Sequence, residues 1–202
     1  MNRTGARPPS AIAFVTGNPD KLAEARRIWA AEESGVPALR LEAVALDLPE
    51  IQSLDLLEVL RAKGAEAYRR LGRPLVVEET GFEIDAFGGF PGPLVKWMLA
   101  ALGPEGMARA ALTVAEREGK TGAAVARCMA LFLDGGREVV GEGVERGTLV
   151  LPPRGAEGFG WDPVFLPEGE SRTYGELPPA AKDRIGHRGK AWRDLRRKLA
   201  SR

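Results

Sequence analysis

Two adjacent carboxylates, Glu78 and Glu79, stand directly after the apolar run Leu75-Val76-Val77 and are followed by Thr80 and Gly81. Acids placed where a buried strand emerges are suited to a hard cation such as Mg²⁺, which prefers oxygen ligands. The glycine- and proline-dense stretch Gly88-Gly89-Phe90-Pro91-Gly92-Pro93 admits neither helix nor central strand and predicts a shaped loop. Lys96 opens the next apolar helical segment and brings a cation near that loop. Upstream, Thr16-Gly17-Asn18-Pro19-Asp20-Lys21 reads as a strand, a turn and the start of a helix, with backbone amides available to an anion. Lys21 falls in the first turn, where the helix dipole disfavours a cation and a bound phosphate would favour one. Downstream, Phe159-Gly160-Trp161-Asp162 lies in a loop, and aromatic faces there can stack on nucleobases for ~1–3 kcal/mol each. Taken by type alone, these residues also read as solvated acids, surface lysines and ordinary turns.

Five blocks together carry a resemblance. The sequence Glu78-Glu79-Thr80 with the loop 88–93 and Lys96-Trp97, the Thr16–Lys21 block, Leu48-Pro49-Glu50-Ile51-Gln52, Gly158–Pro163 and His187-Arg188-Gly189-Lys190 follow one another over about residues 11–195. In content and order they resemble the inosine triphosphate pyrophosphatase family, the (d)ITP/XTP pyrophosphatases. The resemblance implies hydrolysis of ITP, dITP or XTP at the α-phosphorus to a monophosphate and pyrophosphate. It implies Mg²⁺, with Mn²⁺ as a substitute, and a homodimer. Glu50 and Glu79 become metal ligands, with Glu78 as a third acid and Glu79 also as the base. Thr16, Gly17, Asn18, Pro19, Asp20, Lys21, Lys63 and Thr80 hold the triphosphate or its metal, and Lys96 lies near the phosphates or the base. Phe159, Gly160, Trp161, Asp162, Lys182, His187 and Arg188 form the base pocket. Donors from lysine, histidine or arginine would accept a 6-keto oxygen and face adenine's amino group with another donor. The chain departs from the family in Glu79, where aspartate is usual, and in Gly186, where serine usually precedes the histidine.

The elements that must position these residues alternate. Strands are predicted over 11–16, 39–48, 75–77, 123–133, 138–151 and 164–166, the fourth and fifth joined through Asp134-Gly135-Gly136. Helices are predicted from Pro19 with Asn18 as cap, over 54–71, over 95–102 and 105–118 on either side of Gly103-Pro104, from Pro178-Pro179, and over 191–200. On the first helix Leu22, Ala25, Ile28 and Trp29 make the buried face, with Glu24, Arg26 and Arg27 expected outward. Trp161 or Phe165 is expected to plug the core under its loop, which leaves Phe159 for the base. The fold class is α/β. The resemblance adds an elongated twisted mixed sheet flanked by helices, in two lobes with a nucleotide cleft between them.

At 202 residues the chain suits a single domain, 11–202, preceded by a mobile tail over 1–10. Its net charge of +1 supplies no field for nucleic acid or membrane, so neither is expected as a partner. One cysteine, Cys128, excludes an intrachain disulfide and a cysteine metal site. No apolar run is long enough for a signal peptide or a membrane span, so the expected location is the cytoplasm. Two other readings stay open: a Maf-like pyrophosphatase acting on modified nucleotides, and a nucleotide-binding regulator whose catalysis the Glu79 change has weakened.

Overall fold

The computed structural model describes residues 11–30 and 40–201, and the expected tail over 1–10 lies outside them. Seven strands form one open mixed sheet in the order β2-β1-β3-β5-β6-β7, with β4 paired to β3 off this path. The strands are β1 (Ala11–Val15), β2 (Arg40–Val44), β3 (Leu75–Ile84), β4 (Pro91–Gly92), β5 (Ala123–Asp134), β6 (Arg137–Leu149) and β7 (Phe165–Pro167). The helices are α1 (Pro19–Ala30), α2 (Leu56–Leu71), α3 (Val95–Glu118), α4 (Pro179–Ile185) and α5 (His187–Ala200). β1 runs parallel to β2 and β3, and the remaining pairs are antiparallel.

Leu75, Val76 and Val77 form an unbroken apolar run because the sheet is covered on both faces here. Val76 enters a core with Phe14, Trp29 and Trp192, beneath α1 and α5. Leu75 and Val77 enter another with Leu60, Ala67 and Leu131, beneath α2. A third core gathers Phe82, Ile84, Val95, Met107, Trp161, Phe165 and Tyr174 around α3. Strands β3 and β5 supply residues to all of them, Ala126 to the third and Ala130 and Leu131 to the first two. Two lobes therefore share one set of long strands. Among the described residues no helix is long and apolar enough to cross a membrane.

Several boundaries differ from the sequence expectation. β3 does not stop at Val77 but continues to Ile84, paired to β5 along its whole length, so the two acids lie within the strand. Pro91 and Gly92 are not wholly loop, since they pair with Glu83 and Phe82. Gly81 permits this approach, because a Cβ there would already lie 3.3 Å from the Gly92 backbone. The second strand is shorter than 39–48, and Leu39 lies outside the described residues. α3 runs on past Gly103, but that residue has φ 67° and ψ 172°, so the predicted break survives as a kink. α5 begins at His187 rather than Ala191, which puts the histidine motif in a helical first turn.

Candidate active site

A cleft of about 460 Å³ lies between the lobes. The β1–α1 turn contributes Thr16, Gly17, Asn18 and Lys21; the loop before α2 contributes Glu50; α2 contributes Lys63; β3 contributes Glu79 and Thr80. The opposite wall is Lys96, Trp97 and Leu99 of α3 with Phe159, Gly160 and Trp161. Pro19 and Asp20 are not on this wall. Pro19 is exposed, and Asp20 borders a smaller hollow of about 140 Å³ behind Phe159.

The anion-binding amides expected at the start of α1 are mostly occupied. Asn18 Oδ1 accepts from the amides of Asp20 at 2.9 Å and Lys21 at 3.1 Å, and Thr16 Oγ1 accepts from that of Asn18 at 3.1 Å. Among the described residues the Gly17 amide has no partner, so an anion here meets that amide and the Lys21 side chain.

Strand alternation separates the two adjacent acids. Glu79 faces α2, where Lys63 Nζ donates to it at 2.5 Å. Glu78 faces α5, 2% exposed, and accepts from Arg188 Nε at 2.9 and 3.1 Å and from Trp192 Nε1 at 2.7 Å. Glu50, in the cleft with Glu79, is paired with Lys96 at 3.2 Å. Among the described residues no three acids converge, and Glu78 is turned to Arg188 and Trp192, on the face opposite Glu79. Glu50 and Glu79 suffice for Mg²⁺, which is commonly held by one or two carboxylates together with phosphates and waters.

Lys182, His187 and Arg188 lie off the main cleft. With Phe159, Trp161 and Asp162 they enclose a cavity of about 10 Å³. The Phe159 ring covers two cations, with Lys182 Nζ 4.9 Å and Arg188 Cζ 5.5 Å from its centre. Asp162 Oδ2 already accepts from the Phe159 amide at 2.8 Å and from Lys182 at 2.6 Å, so it buttresses the loop. Trp161 and Phe165 both pack on Phe82, at 4.8 and 5.4 Å, so the plug expected of one is shared by two.

A buried ionic network ties this pocket together. Glu24 bridges Lys182, at 2.8 Å, and Arg188 Nη1. Burial alone would raise the Glu24 carboxyl, but Arg188 and Lys182 outweigh it and hold the group below its ordinary range. Burial also opposes the Arg188 charge, and Glu78 and Glu24 more than compensate, so its pKa is raised. His187 is driven the other way. Burial, then the charges of Arg188 and Lys182, lower its pKa well below the usual value, so its ring is neutral near pH 7. Among the described residues both ring nitrogens of His187 and the Trp161 Nε1 have no protein partner. These groups adjoin, with the Trp161 and Tyr174 rings each 5.9 Å from His187.

Two members of the network were not legible as site residues. Glu24 is buried rather than outward. It is three residues after Lys21 and four before Ile28, a spacing that sets it on their face. Trp192 carried no signal beyond its apolar spacing on the last helix.

Comparisons with known proteins agree with this architecture. An inosine triphosphate pyrophosphatase of Puccinia graminis f. sp. tritici is 37% identical over 194 residues, 95% of this chain and 97% of that protein. A dITP/XTP pyrophosphatase of Methanopyrus kandleri is 40% identical over 181 residues, 89% and 91% of the two chains. The structure of a HAM1 protein from Coxiella burnetii shares the fold, with a TM-score of 0.75, 24% identity, and coverage of 95% of this chain and 100% of that one. Residues 12–198 match the profile of the Ham1 family, and the chain belongs to that family.

Proposed function

We propose that the chain hydrolyses deaminated purine nucleoside triphosphates, ITP, dITP and XTP, at the α-phosphorus, releasing monophosphate and pyrophosphate and so cleansing the nucleotide pool. The observation that carries this reading is the pair of unpartnered polar side chains, His187 and Trp161, that line the small cavity with Phe159 beside a cleft rich in lysine. Leaving such groups unmatched costs about 1–3 kcal/mol each, which a polar ligand edge would offset. The names of the Puccinia and Methanopyrus relatives support the same substrates.

In this reading the base displaces Phe159 from the two cations and stacks on its ring. Arg188, Lys182 and His187 present donors to a 6-keto oxygen, and adenine's amino group meets donors instead. Lys21, Lys63 and Lys96, with the Gly17 amide and Thr80, receive the triphosphate. As Lys63 and Lys96 turn to phosphate, Glu79 and Glu50 are freed. A divalent cation held by these two carboxylates and the phosphates, Mg²⁺ with Mn²⁺ as a substitute, would offset phosphate charge and make bound water more acidic. Glu79 takes the proton of the attacking water, and the lysines stabilise the leaving pyrophosphate. The chain acts as a homodimer in the cytoplasm; exposed Leu54, Phe90 and Trp97 support an interface between copies. Light scattering showing only the single-chain mass would remove the dimer.

The deciding experiment is product analysis with Mg²⁺ and ITP, XTP, dITP, ATP and GTP in parallel. Monophosphate and pyrophosphate from the first three, with ATP and GTP nearly untouched, is the expected result. Diphosphate and orthophosphate would place attack at the γ-phosphorus and overturn the mechanism. A preference for modified pyrimidine triphosphates would favour a Maf-like specificity, and tight binding without turnover a regulator.

A further inference from the structure

We infer that Trp192, in the core of the neighbouring lobe, is a positioning residue for base recognition: its indole N–H fixes the Glu78 carboxylate that orients Arg188. The inference rests on the reading of the space under Phe159 as the base pocket.

Arg188 is buried between two acids. Its Nε donates to both oxygens of Glu78 and its Nη1 to Glu24, which leaves Nη2 without an acceptor among the described residues. Arg188 borders the small cavity under Phe159, so the direction of that remaining donor bears on what the pocket accepts. The direction depends on Glu78. A glutamate's terminal torsion is broad and two-fold, so the side chain's own rotamer does not hold the carboxylate plane. Two cations compete for that carboxylate. Arg188 is engaged at 2.9 Å, and Lys21, from the phosphate side of the cleft, stands 3.8 Å from Oε1. A carboxylate free to turn would no longer hold Arg188 in one orientation.

Among the described residues Trp192 supplies the one side-chain hydrogen bond to Glu78 that comes from neither cation, donating to Oε2 at 2.7 Å. The indole itself is fixed. It is fully buried and packs edge-on against Phe14, at 5.0 Å and 88°, and Trp29, at 5.7 Å and 83°. The N–H therefore has one direction, and it turns the packing of the α1–α5 core into the orientation of an arginine in the pocket.

The test is Trp192→Phe, which keeps an aromatic ring and removes the donor. A hydrogen bond to a charged group is at stake, so KM for ITP is expected to rise roughly fivefold to twentyfold while kcat stays within about twofold. Selectivity against ATP narrows. Inhibition by pyrophosphate, a probe of the phosphate side alone, keeps its constant. A merely structural loss would move kcat, KM and pyrophosphate inhibition together, and that pattern would overturn the inference. Should Trp192→Phe fail to fold, 3-benzothienylalanine at position 192 keeps the indole shape and replaces N–H by sulfur; the same split is expected. A double-mutant cycle of either variant with Glu78→Gln should be strongly non-additive, and additive effects would overturn the coupling. Failure of the wild type to favour ITP and XTP over ATP would remove the base-pocket reading itself. Wild-type selectivity and KM in the Trp192 variants, with selectivity intact in the parent, would remove this inference alone.

Discussion

Glu78 and Glu79 are neighbours in the chain, yet a strand sends them to opposite faces, and each meets a different kind of partner. Glu79 is paired with Lys63 in the open cleft; Glu78 is buried against Arg188 and Trp192. Their isosteric variants should fail differently. Glu79→Gln should lower kcat by roughly 10²–10⁴, the usual range for a lost proton acceptor, while calorimetry still detects ITP binding. Turnover near wild type would place the base elsewhere. Glu50→Gln should raise the Mg²⁺ concentration needed for half-maximal rate, and Glu78→Gln should leave that concentration unchanged. An equal shift in both would return Glu78 to the metal. Glu79, one methylene longer than aspartate, meets Lys63 Nζ at 2.5 Å.

Helix α5 can carry His187 and Arg188 into the pocket because β6 presents glycines to it. A Cβ on Gly143 would lie 2.0 Å from the His187 carbonyl oxygen and 2.4 Å from the Ala191 amide nitrogen, both backbone atoms. Gly143→Ala must therefore push the start of the helix away. Overpacking of this kind costs about 1–3 kcal/mol, read as a lower urea midpoint, and the displaced motif should also raise KM for ITP. A helix cap that lines neither cavity gives the contrast. Asp55 caps α2 by accepting from the amides of Leu57 at 2.8 Å and Glu58 at 3.3 Å. Asp55→Ala should cost about 1 kcal/mol of stability and leave KM alone. Some caps and glycines are legible: Asn18 marks the start of α1 and Gly103 the kink in α3, whereas the cap at Asp55 fell inside the helix expected over 54–71. Gly143 was not legible, because nothing in a strand's own sequence says which helix will lie across it.

Across the whole molecule, the buried neutral His187 makes stability depend on pH in one direction. Its folded pKa is depressed, by burial and by the positive charges of Arg188, Lys182, Lys21 and Lys190. Once unfolded it protonates near pH 6.5, so below that value the unfolded chain binds a proton the folded chain refuses. Stability should be fully present above about pH 6.5 and fall by up to ~1.4 kcal/mol per unit on acidification. As the single histidine, His187 is the one side chain whose ordinary pKa falls in this window, and His187→Phe should flatten the slope in urea titrations between about pH 6.5 and 5. An unchanged slope would mean that the folded pocket accepts the proton. By itself the sequence determined the alternation of strands and helices, the mixed α/β class through its ordered motif blocks, and most residues of the cleft walls. The alternation rests on local properties, hydrophobic period, caps and turns, and the cleft residues on the resemblance of the ordered blocks to a known family. Which face each acid takes, that Glu24 and Glu78 clamp Arg188, that Phe159 closes over two cations and that Trp192 reaches Glu78 were decided by tertiary structure. Glu78 and Trp192 are 114 residues apart. Only the pairing of β3 with β5 and the packing of α5 on the sheet place their atoms at hydrogen-bond distance, and neither is written in the local pattern of either segment.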